Sequence, residues 1–210
     1  METGRAAATI QILLETAERL FAEKGVDHVS LRQIVLESGH RNVAALHYHF
    51  GSRSSLVAEV LRNRREIINV ERMRQLDAIE ARGGYDLRDI VATSVRPLAH
   101  AIRDTTWGAH YVSVLAQTTL SPQLRADGIG QTASSGLKRA HAMIAALLPH
   151  IDESVMQQRL VWHTHTVIYS MVHWCQTHPE NDADALDRHT EELIDFCVGG
   201  LLGCKPPHSA

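Results

Sequence analysis

An all-α protein with a small helix-turn-helix head is what the sequence predicts, on three observations. Apolar residues recur at helical spacing along most of the chain. Gly, Pro and Ser punctuate them at intervals of one helix, with no strand alternation and no internal repeat. Near the N-terminus, Ser30 to Arg53 reads as a helix, a tight turn and a second short helix, following an amphipathic helix that stops at Gly25.

The elements follow in order. The first helix carries Ile10, Leu13, Leu14, Ala17, Leu20 and Phe21 on one face, and Gly25 supplies its left-handed stop. Ser30 is the expected N-cap of the second, with Gln33 completing a capping box and Val29 and Ile34 spaced as a hydrophobic staple. Ser38-Gly39 ends it. Asn42 is the expected cap of the third, which runs through Val43, Ala44, Ala45 and Leu46 into His47-Tyr48-His49-Phe50 and breaks at Gly51. Phe50 reads as core, wedged against Leu20 and Phe21. Ser52 caps a long fourth helix with no strong breaker before Gly83-Gly84. Its charged turns, Arg62, Arg64, Arg65, Glu66, Glu71, Arg72 and Arg74, read as a partly exposed connector between head and body. Further helices are expected over 86–103, 107–120, 133–148, 152–177 and 183–202, while 121–133 fits either a loop or a broken helix.

The net charge of −3 does not mark a nucleic-acid binder, but its distribution does. Residues 28–65 hold Arg32, Arg41, Arg53, Arg62, Arg64 and Arg65 against Glu37 and Glu59, a balance of +4 on an otherwise acidic chain. Cys175, Cys197 and Cys204 form no C-x-x-C pair and read as reduced thiols. Glu15, Glu18 and Arg19 interrupt any signal-peptide pattern, and no apolar run approaches the ~20 residues of a membrane span. A cytoplasmic protein with no membrane partner is expected.

A recognition helix must enter a major groove about 12 Å wide, so it needs small residues where backbone approaches and polar ones at the base edges. Val43, Ala44 and Ala45 supply the small surface, and Asn42, His47 and Arg41 can reach base edges. Tyr48, His49 and Arg53 are placed to donate to phosphates, beside the positive end of the helix starting near Ser52.

The runs I-L-L-E-T-A-E-R-L-F-A-E-K-G-V (12–26), S-L-R-Q-I-V-L-E-S-G and A-L-H-Y-H-F-G-S-R-S-S-L resemble the tetracycline-repressor (TetR) family of transcriptional regulators. The match covers about residues 10–60; beyond it only length and helical character agree. The resemblance implies a helix-turn-helix DNA-binding domain over 1–52 and a helical ligand-binding and dimerisation domain over 53–205. It also implies a homodimer that represses a palindromic double-stranded operator until a small-molecule effector enters the body. Carried over by position, Ser30 takes a phosphate contact at the start of the second helix, near Arg32. Asn42, Val43 and Ala44 face the bases, and His49 and Arg53 take phosphates. His47 stands where the family usually has Tyr, and the turn Gly39-His40-Arg41-Asn42 is one residue longer than the common form.

In the body, seven histidines (141, 150, 163, 165, 173, 178 and 189) lack metal-ligand spacing, so structural or pocket-lining roles are expected and no metal. Trp162, Thr166, Tyr169 and His173 form one stripe, and Trp107, His110, Tyr111 and Val114 another. Trp107, Tyr111, His165 and Tyr169 are the candidate pocket residues, although the same stripes suit plain core packing. No cofactor is implied beyond an effector of unknown identity. By resemblance the last two helices form the dimer contact, and the wide apolar spread from Leu186 to Leu202 suits it. Gly199-Gly200 reads as close helix approach or fraying. No G-x-S-x-G, phosphate loop or His-Glu-x-x-His is present, which argues against an enzyme.

Overall fold

A computed structural model of the chain describes residues 2–40, 49–127, 129, 133–180 and 182–203. Every extended regular element among them is a helix: α1 (Glu2–Lys24), α2 (Leu31–Glu37), α3 (Arg53–Arg82), α4 (Leu87–Asp104), α5 (Gly108–Leu120), α6 (Pro122–Ala126), α7 (Ser135–Leu147), α8 (Glu153–Thr177) and α9 (Ala183–Leu202). A 3₁₀ turn, Val26–His28, sits between α1 and α2. The helices expected beyond residue 53 are present to within two residues at each end. The stretch 121–133 begins with the short α6, so its first part is a broken helix.

The packing divides the chain into two compact units that are not contiguous in sequence. One is Met1–Ile67 with Thr106–Thr132, and the other is Ile68–Thr105 with Ala133–Ala210. In the first unit α1 packs on α2 and on α5, and Leu13, Leu20, Phe21, Ile34, Leu56 and Val112 are buried. In the second, α4 packs against α7, α8 and α9, and α8 packs on α9. Asp86 closes a full capping box with Asp89 at the start of α4. Arg159 donates to the carbonyls of Leu201 and Leu202 at 2.6 and 3.0 Å, placing a cation on the open C-terminus of α9.

Two expectations are corrected. The box at Ser30 is half formed: its hydroxyl accepts from the Gln33 N–H, but the Gln33 side chain turns to Glu37. Helix α9 continues unfrayed through Gly199 and Gly200, and a Cβ on either would meet no other atom of the described residues within 4 Å.

Helix α3 is partly exposed, as expected, with Arg62 and Arg74 exposed and Arg64 and Arg72 buried. The reason for Arg72 lies in α4. Pro97 has no N–H, so the carbonyl of Thr93 four residues earlier loses its helical partner. The Arg72 Nε donates to that carbonyl at 2.9 Å, and its Nη1 reaches the Ser134 hydroxyl at 3.2 Å. Opposite them α7 approaches closely enough that a Cβ on Gly136 would lie 2.7 Å from the Asn69 Oδ1.

Candidate nucleic-acid interface

The first unit builds a helix-turn-helix frame from its two ends. Leu13, Leu14, Ala17, Leu20 and Phe21 seat α1 in the core, and Gly25 at φ 90° turns the chain out of it. Ser30 starts α2, on which Ile34 and Val35 are buried. The His40 N–H returns to the Val35 carbonyl at 3.1 Å around Gly39 at φ 75°, closing α2 and opening the turn. Arg41, Asn42, Val43, Ala44, His47 and Tyr48 lie outside the described residues. His49 and Phe50 are helical, Gly51 at φ 68° ends their turn, and the Ser52 hydroxyl accepts from the Ser55 N–H to start α3. Phe50 is half-buried rather than fully enclosed.

Ser30, Arg32, His49 and Arg53 are all exposed. The two acids of this basic stretch are engaged by neighbours. Glu37 is held down to about 2 by hydrogen bonds from Lys24, Gln33 and Arg19, and Glu59 is lowered by Arg62. Their charges are therefore answered locally, while Arg53 lies 4.0 Å from the Asp27 carboxylate. Arg53 also has an internal role. Its Nη1 donates to the carbonyls of Val26 and Asp27 at 3.3 and 2.8 Å, pinning the start of α3 to the 3₁₀ turn while the side chain stays 43% exposed.

Two devices that sequence reasoning missed hold this frame. Gln117 on α5 accepts from the Val26 N–H at 2.8 Å and donates to the Phe21 carbonyl at 3.0 Å. One amide thus satisfies the Val26 N–H left over where α1 turns at Gly25, and adds a second donor to the Phe21 carbonyl, which already accepts from the Gly25 N–H at 3.1 Å. Glu18 on α1 and Arg64 on α3 form a buried pair, with Arg64 Nε and Nη2 at 2.9 and 2.7 Å from the Glu18 Oε2. Burial raises the Glu18 pKa and Arg64 opposes the rise. The Arg64 guanidinium also lies 4.7 Å from the Trp107 ring centre. The available signal was weak: Glu18 falls on the apolar face of α1, and Gln117 lies among the buried positions of α5.

The candidate pocket residues fall into two pairs, one in each unit. Trp107 and Tyr111 meet edge to face at 6.2 Å in the first unit, with Tyr111 buried. His165 and Tyr169 meet at 6.4 Å on α8 in the second, with His165 exposed. Trp162, of the same stripe, stands 60% exposed and is not core. Among the described residues no group of three or more His, Cys, Asp or Glu could hold a metal, and no helix is long and apolar enough to cross a membrane.

Residues 13–60 match the family described as bacterial regulatory proteins, tetR family, and residues 92–200 match the tetracyclin repressor-like C-terminal domain. A search of curated proteins found no match. Several solved structures share the fold. A tetR family transcription regulator from Shewanella sp. PV-4 superposes with a TM-score of 0.65 at 17% identity, covering 91% of this chain and 96% of its own. NalD of Pseudomonas aeruginosa, the secondary repressor of the MexAB-OprM multidrug efflux pump, gives 0.63 at 20% identity over 93% and 96%. FadR of Bacillus halodurans, a fatty acid degradation regulator, gives 0.63 at 14% over 92% and 96%. The second match alone spans more than half of the chain, and together with the helix-turn-helix frame it establishes that the protein belongs to the tetR family of DNA-binding transcriptional regulators.

Proposed function

We propose that the protein is a ligand-responsive repressor that binds a palindromic operator as a homodimer. The observation that carries the dimer is an apolar surface on the last two helices. On α8, Val155, Val161 and Trp162 are exposed, and on α9 Phe196 is 69% exposed with Leu202 beside the helix end. Gly199 and Gly200 present bare backbone next to Phe196, where a second helix can approach closely. A two-fold axis through this face makes the same patch serve both protomers. It also presents two heads to DNA with opposite sense, which requires a site with inverted symmetry.

Each head would lay the helix ending at Phe50 into a major groove, with Asn42 and His47 at base edges and Ser30, Arg32, Tyr48, His49 and Arg53 on phosphates. A small molecule bound in the body would act through its different affinity for the DNA-binding and released arrangements. NalD, a repressor by its description, supports the direction of control.

The test is selection of a random duplex library at roughly 150 mM salt, where non-specific phosphate binding is suppressed, followed by sedimentation of the free protein. A palindrome with half-sites ~34–36 Å or a multiple apart, bound by a dimer, is the expected result. An asymmetric site bound by a monomer overturns the proposal. Transcription from a template carrying the selected site should fall on adding protein; a rise instead would make it an activator.

A further inference from the structure

The second unit contains two buried imidazoles that the DNA-binding machinery does not use. His141 on α7 and His163 on α8 meet edge to face with ring centres 6.3 Å apart. His163 is 4% exposed, yet neither of its nitrogens has a hydrogen-bond partner among the described residues, and the His141 Nε2 has none either. Buried polar atoms of native proteins are nearly always paired, so three orphans on two touching rings call for an explanation.

The local charge decides what can fill the place. Burial holds both rings neutral, at about 4, and the one further charge acting on both is the cation of Arg72. Among the described residues no carboxylate acts on either ring. A positive field beside two neutral imidazoles disfavours a metal cation, which Arg72 repels. It favours an anion, since each neutral imidazole can turn an N–H toward an oxygen. The flanking positions on the same helices are aliphatic and buried: Met143 and Ile144 on α7, Leu160 and Val167 on α8. Such surroundings penalise a dianion such as phosphate and suit a single carboxylate on an apolar stem.

We propose that His141 and His163, beside Arg72, receive the carboxylate of a small apolar carboxylic acid, and that this acid is the effector. The proposal rests on the ligand-responsive reading above and names the class of its ligand. The carboxylate oxygens accept N–H donation from the two rings, and Arg72, fixed by its bonds to Thr93 and Ser134, supplies the compensating charge. The cost of leaving the imidazoles unpartnered in the free protein is the means of selection, because a neutral isostere does not repay it.

The experiment uses full-length protein labelled with ¹³C at histidine Cε1, titrated with sodium carboxylates from acetate to decanoate and with benzoate. Octan-1-ol and benzyl alcohol serve as neutral controls. Carboxylates, and not the alcohols, are expected to shift the His141 and His163 signals, raise Tm, and weaken binding to the selected operator at least tenfold. His163→Met removes an unpartnered polar group, so it should raise Tm of the free protein while abolishing the carboxylate response. If no carboxylate moves the two signals in folded protein, the proposal is overturned. If alcohols or other neutral compounds release the operator with both signals unmoved, the ligand-responsive reading stands and this site is wrong. If carboxylates move the signals and operator affinity does not change, the site stands and the coupling to DNA fails.

Discussion

If Arg72 replaces the hydrogen bond that Pro97 removes from α4, then the two residues must be energetically coupled although they are on different helices. Arg72→Met takes the donor from the Thr93 carbonyl, which is buried and has no helical N–H to fall back on. An orphaned buried carbonyl costs about 1–3 kcal/mol. In a Pro97→Ala background the restored backbone N–H can donate to Thr93 along the helix, so the same Arg72→Met change forfeits only the surplus bond, about 0.5–1.5 kcal/mol. A coupling of about 1 kcal/mol is expected between the substitutions, within the range that double-mutant cycles find for residues sharing one partner. For a chain of this size each kcal/mol moves Tm by roughly 2–4 °C. Wild type, both single variants and the double are compared by reversible urea unfolding with a common m-value. Additivity to within about 0.5 kcal/mol would refute the pairing, leaving Arg72 with no connection to the proline.

Four further outcomes follow from the same geometry. Glu18→Ala strands a buried guanidinium and should cost about 3–5 kcal/mol, whereas the double change Glu18→Leu with Arg64→Met should recover most of it; calorimetric unfolding of the three variants checks this, and equal losses in single and double would count against the ion pair. Gln117→Leu should release the Val26 amide, raising its hydrogen-exchange rate and destabilising the first unit by about 1–3 kcal/mol. Phe196→Glu with Trp162→Glu should give a folded monomer in sedimentation, while either change placed on a face that is not the interface would leave the dimer intact. Stability should also fall in acid. His141 and His163, held at about 4 by burial and by Arg72, bind protons more weakly folded than unfolded, so each contributes stability that is present above ~6.5 and lost as pH falls toward 4. His163→Met should lessen that loss in Tm measured against pH, and an unchanged pH dependence would count against the assignment.

The frame of the head was legible in sequence because its signals are local. Gly25, Ser30, Gly39, Gly51 and Ser52 each act on backbone within a few residues, and helix boundaries follow from them. The burial of Arg64 and Arg72 was not legible. A charged residue on a long helix reads as solvated unless its partner is known, and the partners are Glu18 and the Thr93 carbonyl, 46 and 21 residues away. Arg53 shows a subtler limit. Its type and place fit a phosphate contact, but the structure adds bonds to Val26 and Asp27, so Arg53→Ala would disturb the frame as well as remove a charge. Helical spacing cannot separate a pocket-lining residue from a surface one, as the exposed His165 of the pocket set and the exposed Trp162 of the neighbouring stripe show.

The assignment of residues 106–132 to the same compact unit as the head changes where regulation can act. Gln117 bonds to backbone atoms of Phe21 and Val26 from 96 and 91 positions away, and Trp107 covers the guanidinium that anchors Glu18. The turn at Gly25 leads through the 3₁₀ turn Val26–His28 into α2, so its geometry sets how α2 is presented. A displacement of α5 by an ångström would break both bonds of a single amide at once, since hydrogen bonds weaken steeply with distance and angle. The head is thus fastened by a helix outside its own sequence, at groups that take no part in contacting bases. Substitutions along α5 should therefore alter DNA affinity uniformly across operator variants, whereas changes in the recognition helix should alter preference at particular base pairs. Measuring both against a panel of single-base operator variants separates the two classes, and a base-specific effect from Gln117→Leu would show that α5 acts through more than the turn at Gly25.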